Sequence, residues 1–283
     1  MSETSEPSSY DRQARAEIER WKEPKNSLAR RAVRVASKPV EAGIQVVLDN
    51  TPLGAATRGV VELVNDGATY SVREEPIYER FHDRGHDVRS QKDIARLSLD
   101  EIDAVVGYLS TRYMSVAGAS GAATGATGTL NPVAGIASIA VDLPATIALA
   151  CRAIAEYGTY YGFSPRDSQG ERAYVLSVLE VASSPEDASK TAAMAELTRL
   201  AVMLQKGATW AELNRLGSVK VVQRIASHLP GRLTKKKLAN ALPVLGAAVG
   251  GGFNAHYLNK VTTTAYHSYR ERFLLRAYGE GWS

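Results

Sequence analysis

The chain has a single cysteine, Cys151, which excludes an internal disulfide framework and any multi-cysteine metal site. That thiol lies in an apolar run and reads as buried and inert. Aromatic residues make up only 7% of the 283 positions, so alanine and other small residues supply much of the apolar content. A core of small side chains implies helices lying close together. The opening Met1-Ser2-Glu3-Thr4-Ser5-Glu6-Pro7 has neither a basic segment nor an apolar one, so no secretory signal is expected and the cytoplasm is the expected compartment. Excess charge of one sign is also small. Lys plus Arg number 34 against 30 Asp plus Glu, a net charge of +4, and no nucleic-acid-reading motif accompanies the basic clusters, so no nucleic acid partner is expected.

What is present is helix punctuation. Tyr10, Ala14, Ile18 and Trp21 recur at helical spacing after Ser8-Ser9, which predicts a helix with one apolar face. A second helical region is expected over 27–64, broken at Pro39 and Pro52. Three S/T-x-x-E patterns mark further starts at Ser98/Glu101, Ser168/Glu171 and Thr209/Glu212, where hydroxyl and carboxylate each satisfy an orphan backbone N–H. Ser184-Pro185-Glu186-Asp187 is another start. A last helix is expected from Asn254 to Tyr278, ending at Gly279. Sustained strand alternation is absent. The fold class is therefore all-α, a multi-helix bundle with central helices rich in glycine and alanine. We divide it into an N-terminal helical region, 1–96, with disordered first residues, and a helical domain, 97–283.

Two stretches lack charge almost entirely. Between Arg112 and Arg152 the only formal charge is Asp142, and between Lys237 and Lys260 there is none. Both carry G-x-x-x-G spacing, at Gly121/Gly125 and Gly246/Gly250, which lets helix backbones approach closely. Segments 113–151 and 238–259 read either as buried central helices or as membrane-inserted ones. Against spanning, Asp142 beside Pro144 at mid-membrane costs about 2.5–3.5 kcal/mol. No phosphate-cradling G-x-x-x-x-G-K-S/T and no G-x-G-x-x-G occurs, so no cofactor is expected.

Motifs for chemistry are equally scarce. Gly118-Ala119-Ser120-Gly121-Ala122 departs from the nucleophile elbow at its fifth position and follows no strand. Glu79, His82 and His86 would share a face of a continuous helix, but Gly85 interrupts them and no metal site is expected. His228 precedes Pro230 near an expected helix end, and His256 and His267 have no acid or nucleophile paired with them in sequence. Asp142 is placed to cap a helix entered through Leu143-Pro144. Glu156 follows Arg152 by four residues, which predicts a structural ion pair. Asp142 and Glu156 would share one helix face about 21 Å apart, too far to act on one bond.

Asp142-Leu143-Pro144, then Arg152-Ala153-Ile154-Ala155-Glu156, Tyr161-Gly162-Phe163 and Glu171-Arg172 follow in an order that resembles the central signature of the EcsC family. Lys236 or Lys237, Pro243-Val244-Leu245-Gly246, Gly250 and Asn254, then Arg270 and Arg272, resemble a second block. The resemblance implies a bacterial, mainly helical protein, named for a gene beside an ABC transporter linked to protein secretion, and it brings no established reaction. Asp142, Glu156, Arg172 and Asn254 enter as polar motif positions of unassigned role. Two functions stay open. One is an accessory protein at the cytoplasmic face of the membrane, touching lipid or a transporter-associated protein through Lys235, Lys236 and Lys237. The other is a hydrolase with a polar site between helices, using Asp142, Glu156 or a neighbouring histidine.

Overall fold

The computed structural model describes residues 6–23, 67, 71–128, 132–184, 187–215 and 246–280. Among the described residues there are helices and no strand. The expected region over 27–64 and the lysines at 235–237 lie outside them.

Helix α1 (Ser9–Lys22) starts where the sequence predicts. The Asp11 N–H donates to Ser8 Oγ at 3.0 Å, and the Ser8 N–H donates back to Asp11 Oδ2 at 3.0 Å. Ala14 and Ile18 are buried, with Tyr10 and Trp21 packed against the same core. Helix α2 (Glu75–His82) buries Ile77 and Phe81. The chain then turns through Gly85, whose φ of +86° is a left-handed conformation that disfavours side chains. After the short α3 (Gln91–Ile94) comes α4 (Leu99–Val106), whose Glu101 carboxylate accepts from the Ser98 N–H at 2.8 Å.

The long elements follow. They are α5 (Leu109–Gly128), α6 (Pro132–Tyr160), α7 (Gln169–Ser183), α8 (Asp187–Gln205), α9 (Trp210–Arg215) and α10 (Gly246–Tyr278). Helix α9 begins at Thr209, whose N–H donates to Glu212 Oε2 at 2.7 Å. Helix α10 starts earlier than predicted, taking in Gly250-Gly251-Gly252, and ends at Gly279 with φ +81°. Helix α6 corrects a second expectation. It runs unbroken through Asp142 and Pro144, so Asp142 lies in a helix interior and does not cap a helix start. Of the Ser184-Pro185-Glu186-Asp187 start, Pro185 and Glu186 lie outside the described residues.

Helices α5 and α10, which carry the two G-x-x-x-G spacings, make the most extensive helix–helix contact, and α6 packs on both. Packing within the bundle is thus the arrangement found for the uncharged helices. Among the described residues, no helix is long and apolar enough to cross a membrane. The small-residue core has its expected consequence at Gly158 on α6. A Cβ there would stand 2.7 Å from the Tyr269 hydroxyl and 2.8 Å from Phe163 O. One contiguous buried cluster joins Ala14, Ile18, Phe81 and Ile94 to Ile102, Ile154, Leu179 and Leu258.

Candidate functional site

Three buried charge centres stand among these helices, and each brings together residues from distant parts of the chain. The first is built on Glu156 of α6. It is buried, and its Oε1 accepts from Arg112 Nη1 at 2.7 Å while Oε2 accepts from the Tyr113 hydroxyl. The expected Arg152–Glu156 pair does not form. Arg152 instead gives Nη1 to Ser71 O at 2.9 Å and Ser71 Oγ at 2.7 Å. Glu156 is held across the helix interface by a buried phenol and a half-exposed guanidinium of α5, and not by its neighbour on its own helix.

The second centre surrounds Asp103 of α4. The Tyr161 hydroxyl donates to Oδ1 at 2.5 Å, and the Tyr10 hydroxyl donates to Oδ2 at 2.8 Å. Arg270 is 2% exposed, and its Nε stands 2.9 Å from Asp103 Oδ2. That N–H does not point along the line, so the contact is ionic rather than a directed hydrogen bond. Arg270 Nη1 reaches Glu17 Oε2 of α1 at 2.8 Å. Burial pushes the Asp103 carboxyl up despite the opposing pull of Arg270. Burial with the neighbouring carboxylate lifts Tyr10 to about 12 and Tyr161 well above the usual phenol range. These tyrosines stay protonated and act as donors.

The third centre pairs Glu171 of α7 with Arg272 of α10 through two parallel hydrogen bonds of 2.6 and 2.5 Å. Above this pair, the Arg272 guanidinium lies 4.1 Å from the Phe163 ring centroid and 4.4 Å from that of Tyr174. Arg276 stacks on the same Phe163 ring at 4.4 Å, and burial together with Arg272 lowers its guanidinium to about 10. Ser168 Oγ still accepts from the Glu171 N–H at 3.1 Å, but the Glu171 side chain has left the predicted capping box for Arg272.

The remaining candidates fall into separate places. Arg172 of α7 donates to Pro165 O at 3.4 Å. Asn254 of α10 is 2% exposed, with its Oδ1 lacking a hydrogen-bond partner. Glu156, Arg172 and Asn254 thus sit on three helices among different neighbours. Cys151 is fully buried, and burial raises its thiol to about 12, which removes the thiolate a nucleophile needs. Ser120 lies within α5, so no strand-to-helix elbow exposes it. Helix α2 ends at His82, which meets Val88 O at 2.8 Å, while His86 faces Glu101 at 3.7 Å. Among the described residues, no group of three or more His, Cys, Asp or Glu could hold a metal ion.

Sequence reasoning gave no role in a charge centre to Asp103, Tyr10, Tyr161 or Arg112. One signal was available: 13 of the aromatics are tyrosine, against 4 phenylalanine and 3 tryptophan. Such a ratio in an all-helical core calls for buried acceptors, since a buried phenol needs a hydrogen-bond partner. Chemically, the three centres are carboxylates neutralised in place by arginine, and phenols also donate to the Glu156 and Asp103 carboxylates. They tie helices together.

Comparison with known proteins agrees in one direction. The profile of the EcsC protein family matches residues 12–274. The chain is 23% identical over 277 residues to the uncharacterized protein YdbA of Bacillus subtilis (strain 168), covering 92% of this chain and 91% of that protein. It is 28% identical over 190 residues to Protein EcsC of the same organism, covering 67% of this chain and 71% of that one. No solved structure matches.

Proposed function

The chain belongs to the EcsC protein family, and from that footing we propose that it is an accessory protein that works by contact rather than by catalysis. It docks on the cytoplasmic face of the inner membrane, beside a secretion-linked transporter. The observation that carries this reading is the pairing of the two uncharged helices. Helices α5 and α10 pack along each other, which supports a contact made from the protein surface over insertion of the uncharged helices. The commitment of Glu156 and Asp103 to arginine and tyrosine partners, and of Glu171 to Arg272, supports it too. A carboxylate held this way is a poor general base, because its lone pairs are occupied and its charge is matched.

Lys235, Lys236 and Lys237 supply the first contact, each contributing about 1 kcal/mol near an anionic surface and less as salt rises. Membrane fractionation tests the reading. The protein is expected in the pellet at low salt, released by high salt, and released at low salt when the three lysines are replaced by alanine. Native protein that stays in the supernatant with anionic membranes at low salt overturns the membrane reading.

A further inference from the structure

The surface where α2, α5 and α6 meet carries three guanidinium groups and one matching carboxylate. Arg80 leaves the end of α2 and lies over the Tyr108 ring, 4.0 Å from its centroid. Arg112 stands one helical turn beyond Tyr108, its backbone N–H donating to Tyr108 O at 3.1 Å, and its side chain reaches Glu156. Arg152 precedes Glu156 by one turn of α6 and is held at the rim by Ser71. Arg80, Tyr108, Arg112, Glu156 and Arg152 therefore form one continuous arc. Its charge does not cancel. Glu156 balances one guanidinium, and among the described residues neither Arg80 nor Arg152 has a carboxylate at ion-pair distance.

The arc is open to solvent. Arg80 is exposed, and the Arg112 side chain is 42% exposed even while it holds Glu156. One turn further along α5, Val116 is 49% exposed, the exposed large hydrophobic residue among those described. Ser115 and Ala119 are exposed beside it. Arg112, Val116 and Ala119 follow one another at spacings of four and three, which keeps them on one face of the helix. From Tyr113 to Val141 the sequence has no charged side chain. The described face thus has guanidiniums at one end and the uncharged, exposed Ser115, Val116 and Ala119 leading away from them.

We infer that this face is a seat for an anionic phospholipid surface, with Arg80, Arg112 and Arg152 contacting lipid phosphates and Val116 entering the headgroup–acyl boundary. Guanidinium groups present planar forks that match phosphate oxygens. Cations beside a modest apolar face are what an interfacial contact uses. A dissolved phosphate would engage the guanidiniums and leave Val116 without a role, whereas a bilayer uses both. The inference rests on the peripheral-membrane reading above and adds a second contact to that of the lysines.

Sedimentation of the full chain with phosphatidylcholine vesicles containing phosphatidylglycerol tests it. Arg80→Glu with Arg152→Glu leaves Arg112 in place, so buried Glu156 keeps its partner. This double variant is expected to lower low-salt binding by about tenfold or more, on the scale of one charge-sized contribution per basic residue. Val116→Glu is expected to lower it as well, and each variant should melt as the wild type does. Should Arg152→Glu disturb folding, exposed Arg80→Glu alone carries the test with a smaller loss. Wild-type binding by the arginine variant, with binding lost in the lysine variant, overturns this face and leaves the membrane reading standing. Loss with the arginine variant but none with Val116→Glu overturns the bilayer seat in favour of a purely ionic phosphate site. A wild-type protein that does not sediment with these vesicles overturns both the face and the reading it rests on.

Discussion

Glu171 and Arg272 face each other through two hydrogen bonds, 2.6 and 2.5 Å long, that tie the start of α7 to the C-terminal part of α10. Both side chains are largely buried, at 14% and 5% exposure. Removing one partner of such a pair leaves the other charge in the core unmatched. Arg272→Met is therefore expected to destabilise the fold by about 3–5 kcal/mol in denaturant titration. Glu171→Gln, which keeps the acceptor oxygen, should cost less. Equal stability of Arg272→Met and wild type would show that the pair contributes nothing to holding α7 on α10.

Gly158 offers a sharper test of close packing. The nearest atoms a Cβ would meet include backbone, at Phe163 O, which cannot step aside. Gly158→Ala should thus cost about 1–3 kcal/mol through overpacking, although alanine is the better helix former by about 1 kcal/mol. A melting temperature at or above that of wild type would show that α6 and α10 can separate there without loss.

The same reasoning extends to the glycine spacings on the uncharged helices, whose backbones run along each other. Gly246→Leu is expected to destabilise by about 1–3 kcal/mol. Unchanged thermal unfolding in that variant would remove the packing role assigned to the G-x-x-x-G spacing.

His267 makes the fold sensitive to mild acid. Its ring stacks on Trp21 with centroids 4.9 Å apart, and its Nδ1 is buried without a hydrogen-bond partner. Burial, with help from nearby Arg270 and Lys190, depresses the imidazole to about 4 from an ordinary value of 6.5, while Glu17 pulls the other way. A depressed value means the folded state prefers the neutral ring. That preference is fully present above pH 6.5 and is lost as pH falls toward 4. Chemical denaturation should therefore show wild type losing on the order of 1–3 kcal/mol across that window. His267→Phe, which can keep the stack on Trp21, should lose much less between pH 6.5 and 4.5. Identical pH profiles for the two proteins would remove His267 from the acid response.

Much of this architecture is written locally. Ser8, Ser98 and Thr209 start helices because a hydroxyl beside an acid three residues on satisfies N–H groups that no other residue can reach. Gly279 stops α10 because its φ of +81° admits glycine at little cost. The all-α class and the family resemblance were legible for the same reason, since both depend on residue order and short spacings. The partners of charged side chains were not. Glu156 and Arg152, four apart, satisfied the local rule for an ion pair, yet Glu156 turned to Arg112 and Tyr113, more than forty residues earlier in the chain.

Asp142 shows the same limit in the backbone. Its place before Leu143-Pro144 reads as a helix start, but α6 passes through it, and such an override of local propensity is the work of tertiary packing. The sequence by itself determined the all-helical class, the starts of α1, α4, α7 and α9, the end of α10 and the small-residue stripes that let helices approach. Only the tertiary structure decided which acid meets which arginine, because burial makes an unmatched charge costly and the choice falls to whatever helix packing brings within reach. Helix identity is settled within a turn or two of chain, whereas Asp103 finds Tyr10, Tyr161 and Arg270 only when four distant segments close on one point.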